Sequence, residues 1–192
     1  MKNDRLQPQF KNELFHIYFT SVHILIIIFF YTRTPTLNGV VKGVKTLQKL
    51  FAMISTVVES FAPHIVILQL GTNDLSHLDS LVTASAMEDL VGILYNEHSV
   101  QQISVCQTLN RKNDAAFNAR VKALTKYLKV LLTPIPWCFL GGHRSFWNIS
   151  QRYFTRDAVH LNKLGHYKYD QSLRGGLLKS LHSWACSVEQ PN

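Results

Sequence analysis

Two short stretches of this chain carry the side-chain types that acyl chemistry uses. The first is Gly71-Thr72-Asn73-Asp74. A glycine lets the backbone approach a ligand closely, and an asparagine amide set directly after a strand can aim an N–H at an oxygen that turns negative in a tetrahedral intermediate. The second is Asp157-Ala158-Val159-His160. A carboxylate three residues ahead of an imidazole can accept the Nδ1 proton, which leaves Nε2 as the base toward an attacking hydroxyl. Taken singly, either stretch is equally well an ordinary turn or a loop histidine with a satisfied ring. Their weight depends on the elements that hold them.

Both stretches follow runs that read as buried strands. Ile65-Val66-Ile67-Leu68-Gln69-Leu70 is rich in β-branched residues and leads straight into Gly71, and Trp137-Cys138-Phe139-Leu140 precedes the polar loop that ends near Asp157. A third short strand is expected at Ile103-Ser104-Val105-Cys106. Between these runs the apolar residues change to helical spacing. Leu47, Leu50, Phe51, Ile54, Val57, Val58 and Phe61 mark one helix, which Pro63 ends while biasing Ala62 toward extended geometry. Met87, Leu90, Val91 and Leu94 mark a second over 81–95. Phe117, Val121, Leu124 and Leu128 mark a third, capped by Asn113-Asp114 and running to 132. Asn162 can cap a last helix reaching toward His182. Strands that alternate with helices predict a parallel sheet covered on both faces, with functional groups at the carboxyl ends of the strands.

In this order the two stretches resemble the blocks of the SGNH (GDSL-type) ester hydrolases. Val66-Ile67-Leu68-Gln69-Leu70-Gly71-Thr72-Asn73-Asp74-Leu75 is similar to that family's strand and Gly-x-Asn-Asp block. Asp157-Ala158-Val159-His160-Leu161-Asn162-Lys163-Leu164-Gly165 is similar to its late Asp-x-x-His block, and Gly43 followed by Thr46 resembles its middle glycine block more loosely. The likeness spans about residues 40–183. It implies a three-layer α/β/α sandwich, flavodoxin-like in outline, that needs no metal and no organic cofactor. It implies His160 as general base, Asp157 as its orienting partner, Asn73 and the Gly43 backbone as oxyanion-hole donors, and Gly71, Thr72 and Asp74 as support for the loop.

The family's first block, Gly-Asp-Ser, has no counterpart. The only early apolar strand, within Val22–Tyr31, is followed by Thr32-Arg33-Thr34-Pro35-Thr36, and too few residues separate it from Gly43 for a helix of normal length. Ser21 precedes that strand and would project from its wrong end, while Thr32 or Thr34 is nearer the correct one but, without a Gly-Asp turn, lacks the exposed geometry expected of an activated hydroxyl. The nucleophile is therefore unassigned. Three readings stay open: an ester hydrolase by descent whose turnover is impaired or lost; a non-catalytic module that binds a small ester or acylated ligand; and a truncated, retroelement-derived esterase fragment.

Composition narrows the remainder. The 192 residues, 46% of them hydrophobic and 17% charged, suit one domain with a substantial core. The expected division is an atypical hydrophobic segment over 1–36, an SGNH-like domain over 37–185, and a tail over 186–192. The formal charge of +8 is spread without a basic run, which argues against a nucleic-acid footprint. Cys106, Cys138 and Cys186 cannot all pair, form no zinc-type spacing, and favour slightly a cytoplasmic setting. Residues 14–31 read either as a buried strand or as a membrane anchor, interrupted by His16 and His23. Asn148-Ile149-Ser150 matches a glycosylation sequon that would matter only outside the cell. Oligomeric state is not legible.

Overall fold

The computed structural model describes residues 25–29, 40–41, 58–59, 62–146 and 151–188. Among the described residues five strands are present: β1 (Leu25–Phe29), β2 (Val40–Val41), β3 (Ile65–Gln69), β4 (Gln102–Cys106) and β5 (Cys138–Gly141). Three long helices follow in alternation with the last of them: α1 (Ser80–Asn96), α2 (Ala115–Leu132) and α3 (Lys163–Val188). They lie close to where periodicity places them, and α3 runs on to Val188. Val58 and Glu59 are helical, whereas the rest of the helix expected over 47–61 falls outside the described residues.

The sheet order is β2-β1-β3-β4-β5. β3, β4 and β5 are parallel, as the β–α alternation requires, while β1 is antiparallel to both β2 and β3. The N-terminal strand is thus atypical in direction as well as in sequence. Leu25, where β1 begins, pairs with Gln69 at the carboxyl end of β3, and Phe29 pairs with Ile65 at its start. No helix among the described residues is long and apolar enough to cross a membrane.

Side chains that alternate along a strand supply both faces of the sheet. Val66 and Leu68 join Met87, Leu90 and Leu94 of α1 and Phe117, Val121 and Leu124 of α2 in the larger core. Ile67 faces the other way, into a smaller aromatic core with Phe146, Tyr153, Phe154 and Tyr169, Leu173 and Leu177 of α3. Among the described residues, α1 and α2 cover one face and α3 the other, which gives the three layers. Cys106 and Cys138 are buried, and burial pushes both thiols up to about 12, so they stay protonated and pack as small apolar groups.

The helix starts use the capping residues that the sequence offers. Asp79 Oδ1 accepts the Leu81 N–H at 2.7 Å, and Asp114 Oδ1 accepts the Phe117 N–H at 2.8 Å. Ala62 departs from the extended geometry expected ahead of Pro63. It takes φ 44°, and its N–H closes the preceding turn on Val58 O at 2.7 Å, so the demand of the helix end overrides the bias of the proline.

Candidate functional site

The register aligns Gln69, Cys106 and Gly141, so the loops after β3, β4 and β5 leave from one rim of the sheet. The first of these loops is the Gly71–Asp74 turn. Gly71 sits at φ 91°, and a Cβ there would stand 2.6 Å from Met87 Cε and 3.2 Å from Thr108 Oγ1. Glycine is therefore required twice over, by the left-handed backbone and by the close approach. The chain then closes tightly: Leu75 N–H donates to Gly71 O at 3.0 Å, and Ser76 N–H to Asn73 O at 3.0 Å. Asp74 and Leu75 are buried in the short 3-10 turn Asp74–Ser76, and Thr72 and Asn73 are half-buried just ahead of it.

The second candidate turn precedes α3. Asp157 Oδ1 accepts the Thr155 hydroxyl at 2.6 Å and the N–H groups of Val159 and His160, both at 2.9 Å. Its other oxygen, Oδ2, is hydrogen-bonded to His160 Nδ1. The Thr155 hydroxyl, then the two backbone N–H groups and the imidazole, hold the Asp157 carboxyl well below the ordinary carboxylate range, so it remains an anion facing the ring. With Nδ1 committed to that anion, Nε2 is the nitrogen left to exchange a proton with a substrate. Both side chains are close to half exposed. Closing the carboxylate over two successive amides forces Ala158 to φ 63°, a conformation that costs an L-residue about 1 kcal/mol.

The loop after β4 ties the two turns together. Thr108 Oγ1 donates to Leu70 O at 2.8 Å, and Arg111 Nη2 donates to Ser76 Oγ at 3.3 Å, which holds the Gly71–Ser76 turn. One residue on, Lys112 N–H donates to Ala158 O at 3.0 Å, which holds the Asp157–His160 turn. Asn118 clamps the loop itself: its Oδ1 accepts the Arg111 N–H at 2.8 Å and its Nδ2 donates to Arg111 O at 2.7 Å. The Arg111 guanidinium lies 3.8 Å above the Phe117 ring. Neither Arg111 nor Asn118 stands out in the sequence, because neither belongs to a motif.

Asn162 anchors the far side of the histidine turn. Its Oδ1 caps α3 by accepting the Gly165 N–H at 3.0 Å, while its Nδ2 donates to Arg152 O at 2.6 Å and Phe154 O at 3.2 Å. Asn162→Asp keeps the cap acceptor and loses both donors. We expect it to cost about 1–2 kcal/mol in urea unfolding, from two carbonyls left facing a carboxylate. If stability is unchanged, the amide bonds carry no weight.

A third polar group on this rim escaped the sequence reading. His143, buried just past β5, makes a 2.8 Å bond from Nε2 to Gln69 Oε1, and Gln69 Nε2 donates onward to Gln107 O at 3.3 Å. Its Nδ1 lies 2.8 Å from Ser172 Oγ on α3. Burial pushes the imidazole down to about 4, so the ring is neutral: Nε2–H donates to Gln69 and Nδ1 accepts the Ser172 hydroxyl. A polar Gln69 inside the apolar run Val66-Ile67-Leu68-Gln69-Leu70 is the one sequence signal for such a partner.

No protein-family model and no curated protein matches this sequence. Solved structures do. A GDSL-like lipase from Bacteroides thetaiotaomicron superposes with TM-score 0.60 at 12% identity, over 70% of this chain and 72% of that one. A family 3 carbohydrate esterase from Clostridium thermocellum gives 0.59 at 14% identity, over 73% and 68%. A catalytic mutant of an acetylxylan esterase from Geobacillus stearothermophilus gives 0.55 at 14%, over 67% and 65%. The fold is that of the SGNH hydrolases.

Within this SGNH fold the candidate residues are distributed unevenly. Gly71, Thr72, Asn73, Asp74, Asp157 and His160 all lie in turns at or tied to the carboxyl rim, whereas Gly43 and Thr46 fall outside the described residues, as do Ser21, Thr32 and Thr34. The direction of β1 corrects one inference about the last three. Because β1 runs antiparallel to β3, its carboxyl end at Phe29 is at the rim opposite Gly71, and its start at Leu25 is at the rim that Gly71 leaves from.

Proposed function

We propose that this chain descends from SGNH ester hydrolases and uses the Asp157–His160 pair on a small carboxylic ester such as an acetyl ester, with turnover that is feeble because the Gly-Asp-Ser block is absent. The observation that supports this most is the pair itself. A carboxylate held ionised by Thr155 and two amides, and bonded to Nδ1 of a half-exposed imidazole, is the arrangement that makes Nε2 a base. In this reading Asn73 and the backbone of Gly43 donate to the developing oxyanion, and Gly71, Thr72 and Asp74 brace the turn. Without an activated serine the base can still act on water, and donors alone leave a residue of about 10³–10⁴-fold over the uncatalysed rate.

Purified protein should hydrolyse p-nitrophenyl acetate slowly, and His160→Ala should remove that activity. Rapid turnover with a fluorophosphonate label on a serine would overturn the impaired reading; a label on Ser21, four positions ahead of Leu25, would name the replacement nucleophile. Saturable binding of an acylated ligand without turnover, weakened by Asn73→Ala, would instead favour a binding module.

A further inference from the structure

The helix that begins at the histidine turn has an unusual solvent face. Among the described residues of α3, none of the exposed side chains is acidic, and the exposed positions include Lys163, Arg174 and Lys179. Two large apolar or aromatic side chains join them at the rim end: Leu164 is 44% exposed and Tyr167 56%. At 100° per residue, Lys163, Leu164, Tyr167 and Lys168 share one side of the first two turns, and the exposed Arg156 lies in the loop just before. Tyr167 is held in place on that side, since Gln171 Nε2 donates to its hydroxyl at 2.9 Å and Lys168 Nζ donates to Gln171 Oε1 at 3.0 Å. The nearby acids are outnumbered: the anion Asp157, bonded to His160, and Asp170, half-buried on the border of the face, stand against Arg156, Lys163 and Lys168.

Cations interleaved with exposed leucine and tyrosine suit a surface that is negative outside and apolar beneath. We propose that the rim end of α3, with Arg156, Lys163, Leu164, Tyr167 and Lys168, docks on an anionic lipid surface. Docked in this way, the adjoining Asp157–His160 pair works at the boundary between water and lipid. The proposal deepens the ester reading by naming where its substrate is presented, yet docking itself needs no turnover. α2 also carries exposed Lys122, Lys126 and Lys129 beside Val130, but on the opposite layer of the sandwich, so it supplies a control of equal charge.

The test is sedimentation of the full chain with vesicles made from equal parts phosphatidylcholine and phosphatidylserine, against vesicles of phosphatidylcholine alone. Binding is expected only to the anionic vesicles. Each lysine near such a surface contributes about fivefold, so Lys163→Gln with Lys168→Gln should weaken partitioning about 25-fold. Tyr167→Ser with Leu164→Ser should weaken it as well, and Lys122→Gln with Lys126→Gln should leave it unchanged. Absence of vesicle binding overturns the proposal. So does an equal loss in the α2 variant, which would show bulk charge at work, or full retention in the α3 variants, which would place the contact elsewhere in the chain. Capture of duplex DNA that disappears in the α3 lysine variant would assign the face to nucleic acid instead. His160→Ala should lose hydrolysis and still bind vesicles, whereas a wild-type chain that binds vesicles but hydrolyses nothing counts against the ester reading alone.

Discussion

Gly165→Ala should destabilise the protein by about 3 kcal/mol, although alanine is the better helix former by about 1 kcal/mol. A Cβ on Gly165 would stand 2.1 Å from the Tyr153 carbonyl oxygen and 3.1 Å from Leu161 Cβ. The obstacle is backbone, which cannot swing aside as a flexible side-chain tip does. That same carbonyl accepts the Asn162 N–H at 2.9 Å, beside the Phe154–Leu161 bridge that closes the base of the histidine turn. To admit the methyl group, either α3 must back away from the loop or this bridge must open. Urea unfolding measures the cost, and the imidazole resonances of His160 report whether the turn has moved. A Gly165→Ala protein as stable as the parent would mean that α3 does not approach the loop this closely.

The sequence was most legible where one physical rule decides the outcome. The run from Ile65 is strand because its β-branched residues can bury both faces, and α2 begins just after Asp114 because its carboxylate can take up the Phe117 amide. The glycine of the late block has a similarly plain cause in the Tyr153 carbonyl. The direction of β1 was not legible, since an apolar pentapeptide such as Leu25–Phe29 satisfies a parallel or an antiparallel neighbour equally well and the choice is made by long-range pairing. Ala158 gives no sign of φ 63°, because that conformation is imposed by the Asp157 carboxylate reaching over two amides. Arg111 and Asn118 were invisible for another reason. They brace two motif-bearing turns from a third loop, and nothing local marks them.

The His143 group shows the same limit and leads to a second large effect. His143 lies 74 positions from Gln69 and 29 from Ser172, so only the fold brings the three together. A neutral, buried imidazole with both nitrogens bonded joins β3, the loop after β5 and α3. Burial lowers its pKa from 6.5 to about 4, and that direction fixes the sign of a pH effect. The unfolded chain takes up a proton as pH falls through 6.5 while the folded chain resists until about 4, so stability is fully present above 6.5 and is lost through that window. A difference of about 2.5 units corresponds to a loss of about 3 kcal/mol. Asp170 works against this, because burial raises its carboxyl to about 6 and the folded state then takes up that proton first; with much of the group exposed, its share is small. Guanidinium unfolding of wild type and His143→Gln at pH 7.5 and pH 4 isolates the ring. The variant should be weaker at the higher pH and should lose about 3 kcal/mol less on acidification. Parallel losses in both proteins would mean that His143 does not stay neutral in the fold, and the link it makes between Gln69 and Ser172 would have to be redrawn.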